Sequence, residues 1–168
     1  MIDTKAVKDR RPLRFASIDE AIAEARRVAE ADAAGRLGVL GNWSLGRILG
    51  HLAFWANAPF DGYPELRRPP APLRMLIRLM KGRFLEGSLP PGFRIPGTAE
   101  GTLGTEDLST GEGLERLVAA FTRLRDQDPR AVNPVLGPLR HKEWIKINLR
   151  HAELHLGYAV PRDKEPSR

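Results

Sequence analysis

The sequence predicts an all-α protein, a bundle of four main helices with one further helix in a long connection. Three observations carry this prediction. Four stretches of about 15–18 residues place apolar side chains at helical spacing. Each is bounded by capping residues, glycine or proline. No stretch shows a convincing strand alternation, and there is no internal repeat. A chain of 168 residues is long enough for one domain with its own core. Residues 1–168 are therefore read as a single domain, with 1–14 and 162–168 as loose ends.

The opening Met1–Arg14 is polar and basic and reads as an extended arm. Ser17 is an N-cap and Glu20 stands at the capping-box position, so a helix starts there and runs to about Ala34. Ile22, Ala25, Ala29 and Ala33 give it a small-residue face, and Gly35 ends it. A glycine-rich link, Leu37–Gly41, leads to a second helix from about Ser44 to Ala58, with Pro59 as its stop. His51 stands at the centre of its apolar face with Leu45, Ile48, Leu52 and Trp55. Gly46, Gly50 and Asn57 line another side. Glycine costs about 1 kcal/mol in a helix interior, so two of them point to the close approach of a neighbouring helix.

Residues 59–108 differ in texture, with eight of the 14 prolines between Pro59 and Pro96. Within this crossover Leu73–Leu85 is amphipathic. Leu73, Leu76, Ile77, Met80 and Phe84 share one face, and Arg74, Arg78 and Lys81 another. Such a helix either lies on a membrane surface or packs on the core with a solvated charged face, and packing is the expectation. The rest of the crossover reads as an ordered irregular loop, a pocket wall or lid. Ser109 and Glu112 form a capping box for a helix to about Asp126, with Leu114, Leu117, Val118, Phe121 and Leu124 inward. Prolines 129, 134 and 138 keep the next link non-helical.

The last helix, HKEWIKINLRHAELHLGY from His141 to Tyr158, holds the chemistry; Pro161 is expected to end it. Trp144, Asn148, His151, His155 and Tyr158 fall on one narrow stripe. Lys142, Glu143, Lys146, Arg150 and Glu153 share the opposite arc. His151 and His155 are one turn apart, about 5–6 Å at Cβ, so one cation can bind both. The order His-Ala-Glu-Leu-His is not the zincin motif, and Glu153 points away from the pair. A buried histidine pair can equally be hydrogen-bonded core. A third histidine on a facing helix favours the metal, and His51 is that residue. Three imidazoles with a vacant position suit a catalytic site rather than a closed structural one.

Composition narrows the classes. There is no cysteine, which removes disulfides, thiolate ligands and a cysteine nucleophile. Any metal must be held by histidine or carboxylate. No apolar run matches a membrane span and no signal-peptide pattern opens the chain, so a cytoplasmic location without membrane contact is expected. The net charge is +6, which could attract an anionic partner. The basic residues are scattered among acidic ones and no nucleic-acid motif accompanies them, so no nucleic acid is expected.

The segments WSLGRILGHLAFW and NPVLGPLRHKEWIKINLRHAELHLGY resemble the DinB/YfiT-like superfamily, and more narrowly an uncharacterised DinB-like subgroup. The resemblance spans most of residues 16–160 and is weakest in the crossover. It implies a four-helix bundle with a crossed connection and a divalent metal held by His51, His151 and His155; three imidazoles suit Zn, Ni or Fe alike. It also implies chemistry on low-molecular-weight thiols, as a metal-dependent thiol S-transferase or hydrolase. The alternative is a non-enzymatic metal- or ligand-binding bundle with a stress-related role. Trp55, Asn148 and Tyr158 are candidates for the pocket wall. Arg47, one turn before His51, is the candidate contact for an anionic small molecule or carboxylate-bearing thiol, with Arg67, Arg68, Arg74 and Arg78 adding positive charge. His141 lies outside the triad. The broad second arc of the last helix, Ile145, Leu149, Ala152 and Leu156, calls for cover by the crossover or by a second subunit, with a homodimer favoured.

Overall fold

The computed structural model describes residues 2–63, 70–95, 98 and 100–162. Among these residues six helices and a two-stranded sheet follow in the order α1 (Ile18–Ala33), β1 (Leu37–Val39), α2 (Leu45–Asp61), α3 (Ala71–Leu79), α4 (Lys81–Glu86), α5 (Thr110–Asp126), α6 (His141–Leu156) and β2 (Ala159–Pro161). The protein is mostly helical. Arg67 and Arg68 and the tail from residue 163 lie outside the described residues.

The long helices start where their caps say. The Ser17 hydroxyl accepts from the Glu20 amide at 3.1 Å, and Ser109 and Glu112 form a reciprocal capping box. Their apolar faces meet in one core, in which Val28 of α1, Leu49 and Leu52 of α2, Leu117, Phe121 and Leu124 of α5, and Trp144 and Leu156 of α6 are buried. The tightest contact is between α2 and the entry to α5. A Cβ on Gly46 would lie 2.1 Å from the Leu108 carbonyl oxygen, and one on Gly113 would lie 2.5 Å from the Gly46 carbonyl oxygen. The glycines of α2 thus admit a neighbour at backbone distance. At the far end Arg123 of α5 lies 4.4 Å over the Phe60 ring and bonds Asp61 at 2.8 Å.

Several expectations are corrected. Pro59 does not stop α2; it sits buried in the last turn and the helix ends at Asp61. So close to a C-terminus a proline forfeits one helical bond and few turns follow to be kinked. The last helix ends at Leu156, not near Pro161, and Gly157 reverses the chain into β2. β2 pairs antiparallel with β1, Leu37 opposite Pro161 and Val39 opposite Ala159. Three-residue strands from distant parts of the chain are too short to show alternation. The single crossover helix is two, breaking at Met80, and α3 has no buried residue, so it does not pack on the core as expected. α4 does pack: Leu85 is buried, and Lys81–Glu143 and Lys146–Glu86 ion pairs hold the element to α6. The crossover therefore covers the arc around Leu149 that had suggested a second subunit.

The opening arm is non-helical but anchored. The Arg11 side chain donates to the Ala159 and Leu156 carbonyls at 2.6 and 3.1 Å, and its amide donates to Gly157 O at 2.9 Å. Arg150 and Glu153, placed on the arc opposite the histidines, are buried and paired at 2.8 Å. The arm crosses them: the Phe15 amide donates to Glu153 Oε1 at 2.7 Å, and Arg150 donates to the Phe15 carbonyl at 2.7 Å. Paired and hydrogen-bonded charges of this kind tolerate burial.

Candidate metal centre

His51 projects from the middle of α2, and His151 and His155 from successive turns of α6. One ring nitrogen from each lies within 4.8 Å of the others. No carboxylate joins the group among the described residues. The ring centroids are 4.7–5.0 Å apart with the planes steeply inclined, each pair meeting edge to face. His51 is buried; His151 and His155 are half-buried.

The tautomer of His51 is fixed by a backbone group. Its Nδ1 lies 2.8 Å from the Leu103 carbonyl. A carbonyl only accepts, so Nδ1 carries the proton and Nε2 carries the lone pair. That lone pair faces His151 Nε2 at 3.2 Å. His151 can donate a proton to it, or both nitrogens can share a cation. Two nitrogens bound to one tetrahedral metal at about 2.0–2.1 Å stand roughly 3.4 Å apart, so this pair already has the required spacing.

The electrostatics favour neutral rings. Burial, and secondarily the Arg47 charge, holds His51 down at about 4. Burial and the neighbouring imidazoles hold His151 and His155 well below the usual histidine range, Arg10 adding to the effect on His155. A neutral imidazole is the metal-binding form.

Tryptophans wall the cluster. Trp43 stacks on His155, 5.5 Å between centroids and 6° between planes, and meets His51 edge-on at 4.9 Å. Trp55 lies 6.3 Å from His51 and 6.5 Å from His151. Tyr63 follows Trp55 at 6.3 Å, and burial raises its pKa, so it remains a phenol. Trp55, a pocket-wall candidate from the sequence, therefore lies beside two of the three imidazoles. Trp43 and Tyr63 were missed: Trp43 precedes the N-cap Ser44 and Tyr63 follows the helix, so neither sits on the wheel that singled out His51.

The other candidates are engaged elsewhere. Asn148 is buried on the α6 stripe and donates to the Trp144 carbonyl one turn back, at 3.0 Å. Tyr158 lies beyond the end of α6, so the stripe does not reach it; its hydroxyl donates to the Thr4 carbonyl at 2.9 Å and Arg10 lies over its ring. Arg47 lies 5.6 Å over the Trp43 ring, pairs with Glu100, and approaches Asp107 at 3.6 Å. His141 stands at the start of α6 and donates from Nε2 to the Leu124 carbonyl at 2.6 Å, outside the triad. A surface groove of about 470 Å³ between α1 and α5 is lined by Asp19, Arg26, Glu30 and Arg125. It lies away from the imidazoles, and Arg125 there is already paired with Asp19.

No helix among the described residues is long and apolar enough to cross a membrane. No curated protein and no solved structure matches the chain. A family model described as "Protein of unknown function (DUF1569)" matches residues 7–162, and the chain belongs to that family.

Proposed function

We propose that this DUF1569 protein is a divalent-metal protein of the DinB/YfiT-like kind, with His51, His151 and His155 as the ligands. Its order of long helices, α1, α2, α5 and α6 with the crossover between the second and third, is in keeping with the four-helix bundle of that superfamily. The observation that carries the metal reading is the convergence of three neutral imidazoles, one with its free lone pair set by the Leu103 carbonyl. Three protein ligands leave room for a further one. Bound there, the metal would supply a positive charge that lowers the pKa of a water or thiol ligand.

The chain's own residues perform the rest. The Leu103 carbonyl orients His51. Trp43 and Trp55 exclude water from the ring edges and offer flat apolar walls. Tyr63, a phenol beside Trp55, extends that wall. This set suits transfer or hydrolysis on a small thiol, since a thiolate is the competent nucleophile. Arg47, occupied by Glu100 and stacked on Trp43, we assign to holding the wall rather than to binding an anion. A non-enzymatic metal-binding role is favoured by one observation, that among the described residues no carboxylate base joins the three histidines.

The test is elemental analysis and metal titration of protein purified without a histidine tag, beside His51→Gln, His151→Gln and His155→Gln. One equivalent of Zn, Ni or Fe in the parent protein, lost in each variant, supports the site. Retention by all three variants, or no binding by the parent, overturns it. Thiol conjugation by loaded but not stripped protein separates the enzyme from the binding protein.

A further inference from the structure

Among the described residues nothing covers the outer face of α3. Leu73, Met75, Leu76, Leu79 and Met80 are exposed, from 39% at Met80 to 78% at Leu79. Five of the eight exposed large apolar side chains among the described residues lie on this one stretch. Single exposed leucines are ordinary, but a contiguous apolar arc is not. At helical spacing these five side chains and Pro72 share one broad arc, with Arg74 and Arg78 opposite. Ile77 and Arg74 are the half-buried members, so the helix leans on the body by that edge and turns its leucines and methionines outward. Arg78 rests on the 133–137 turn, where a Cβ on Gly137 would meet its Nε at 2.9 Å.

Charge identifies the occupant. From Leu66 to Leu85 the sequence holds six basic residues, Arg67, Arg68, Arg74, Arg78, Lys81 and Arg83, and no acidic one. Lys81 is paired with Glu143. Arg74, Arg78 and Arg83 have no acidic partner among the described residues. A second copy of the chain would bring the same cations to the contact and nothing to offset them. An anionic lipid surface supplies both an apolar phase for the leucines and negative charge for the arginines. Nine residues at about 1.5 Å each are too short to cross a bilayer, so the helix would lie flat in the interface. We propose that α3 is a peripheral membrane-docking element, which seats the protein on anionic lipid through Leu73, Met75, Leu76, Leu79 and Met80 with the arginines reaching the headgroups. This replaces the expectation of no membrane contact, and it is independent of the metal site.

The experiment is co-sedimentation of the full chain with vesicles of phosphatidylcholine alone and with about one-third phosphatidylglycerol. The expected result is binding to the anionic vesicles, weaker by about tenfold or more on neutral ones, and lost toward about 0.5 M salt as the arginines are screened. Met75→Glu/Leu79→Glu changes two of the most exposed positions and should reduce binding by about tenfold or more, with an unchanged thermal melt. Arg78→Glu gives the same reading should the double variant fail to fold. Absence of sedimentation with anionic vesicles at low salt overturns the proposal, as does equal binding to neutral vesicles or by the folded variants. A dimer in light scattering that Met75→Glu/Leu79→Glu dissolves, without vesicle binding, overturns it in favour of a second copy.

Discussion

Replacing Gly46 by alanine should damage both the fold and the metal centre, by an amount that the packing sets. Alanine is the better helix former by about 1 kcal/mol, so on propensity alone the change would stabilise α2. The new methyl group, however, would stand 2.1 Å from the Leu108 carbonyl oxygen and 2.6 Å from Ser109 backbone atoms. Ordinary contacts need roughly 3.5 Å, so the two segments must separate by more than about 1 Å. Overpacking costs about 1–3 kcal/mol, and here the obstacle is backbone that cannot rotate aside, which places the cost at the upper end. The net loss is about 2 kcal/mol, or a drop in Tm of about 4–8 °C for a chain of this size. Gly111→Ala is the control. It lies in the first turn of α5 with nothing within 4 Å of its Cβ, and should stabilise by about 0.5 kcal/mol. Thermal and urea unfolding of the stripped proteins would measure both. Because Leu108 continues the segment that carries the Leu103 carbonyl, Gly46→Ala should also weaken metal binding while Gly111→Ala should not. An unchanged Tm in Gly46→Ala, or equal loss in both, refutes the packing argument. Lost stability with full metal affinity refutes the link to His51.

Glu153→Ala should cost about 3 kcal/mol in urea unfolding, because it strands the buried Arg150 guanidinium and frees the Phe15 amide. The stripped protein should lose stability in acid. Its imidazoles stay neutral in the fold, His51 down to about 4, but take up protons near 6.5 when unfolded. The unfolded state therefore binds more protons between those values, so stability is intact above about pH 6.5 and falls as pH drops toward 4. His51 alone contributes a loss of about 2 kcal/mol at pH 5, and urea midpoints at pH 7.5 and 5 should show His51→Gln with the shallower fall. Arg47→Ala should lower stability by no more than about 1 kcal/mol, since its Glu100 and Asp107 partners are exposed, yet calorimetry should find metal binding weakened several-fold through the loosened wall. Saturating metal, at about 100 times Kd, should stabilise the parent protein by about 2.7 kcal/mol and the three histidine variants not at all.

The parts legible in the sequence were those in which a side chain announces its own neighbours. Ser17 and Ser109 mark helix starts because a hydroxyl at that position satisfies free amides. His51, His151 and His155 stand out because imidazole is unusual at the centre of an apolar arc. The misreadings have physical causes as well. A helical wheel assumes that the helix continues, and Tyr158 was placed by that assumption beyond the real end at Leu156. The wheel also knows only its own helix, so it does not show that Phe15 of the arm lies across Arg150 and Glu153 and buries them. β1 and β2 are fixed by their pairing, which local pattern does not encode. Leu103 takes part through its carbonyl alone, and a backbone group leaves no mark in the sequence.

That carbonyl changes how the centre should be understood. Two of the three imidazoles belong to α6 and are spaced by the helix itself, so their relation is as rigid as one helical turn. The third belongs to α2, and its usable nitrogen is decided by a loop. What holds the loop is a set of contacts back to α2: Arg47 to Glu100 and Asp107, Phe54 against Gly104, and Leu108 against Gly46 and Gly50. Gly104 has φ +68, and a Cβ there would lie 2.5 Å from the Phe54 side chain, so a larger residue is excluded on both counts. The glycines that weaken α2 as a helix are thus the ones that let the wall come close enough to set His51. The crossover thus sets the tautomer of His51 through the Leu103 carbonyl, and its distance from α2 sets how closely that carbonyl meets the ring.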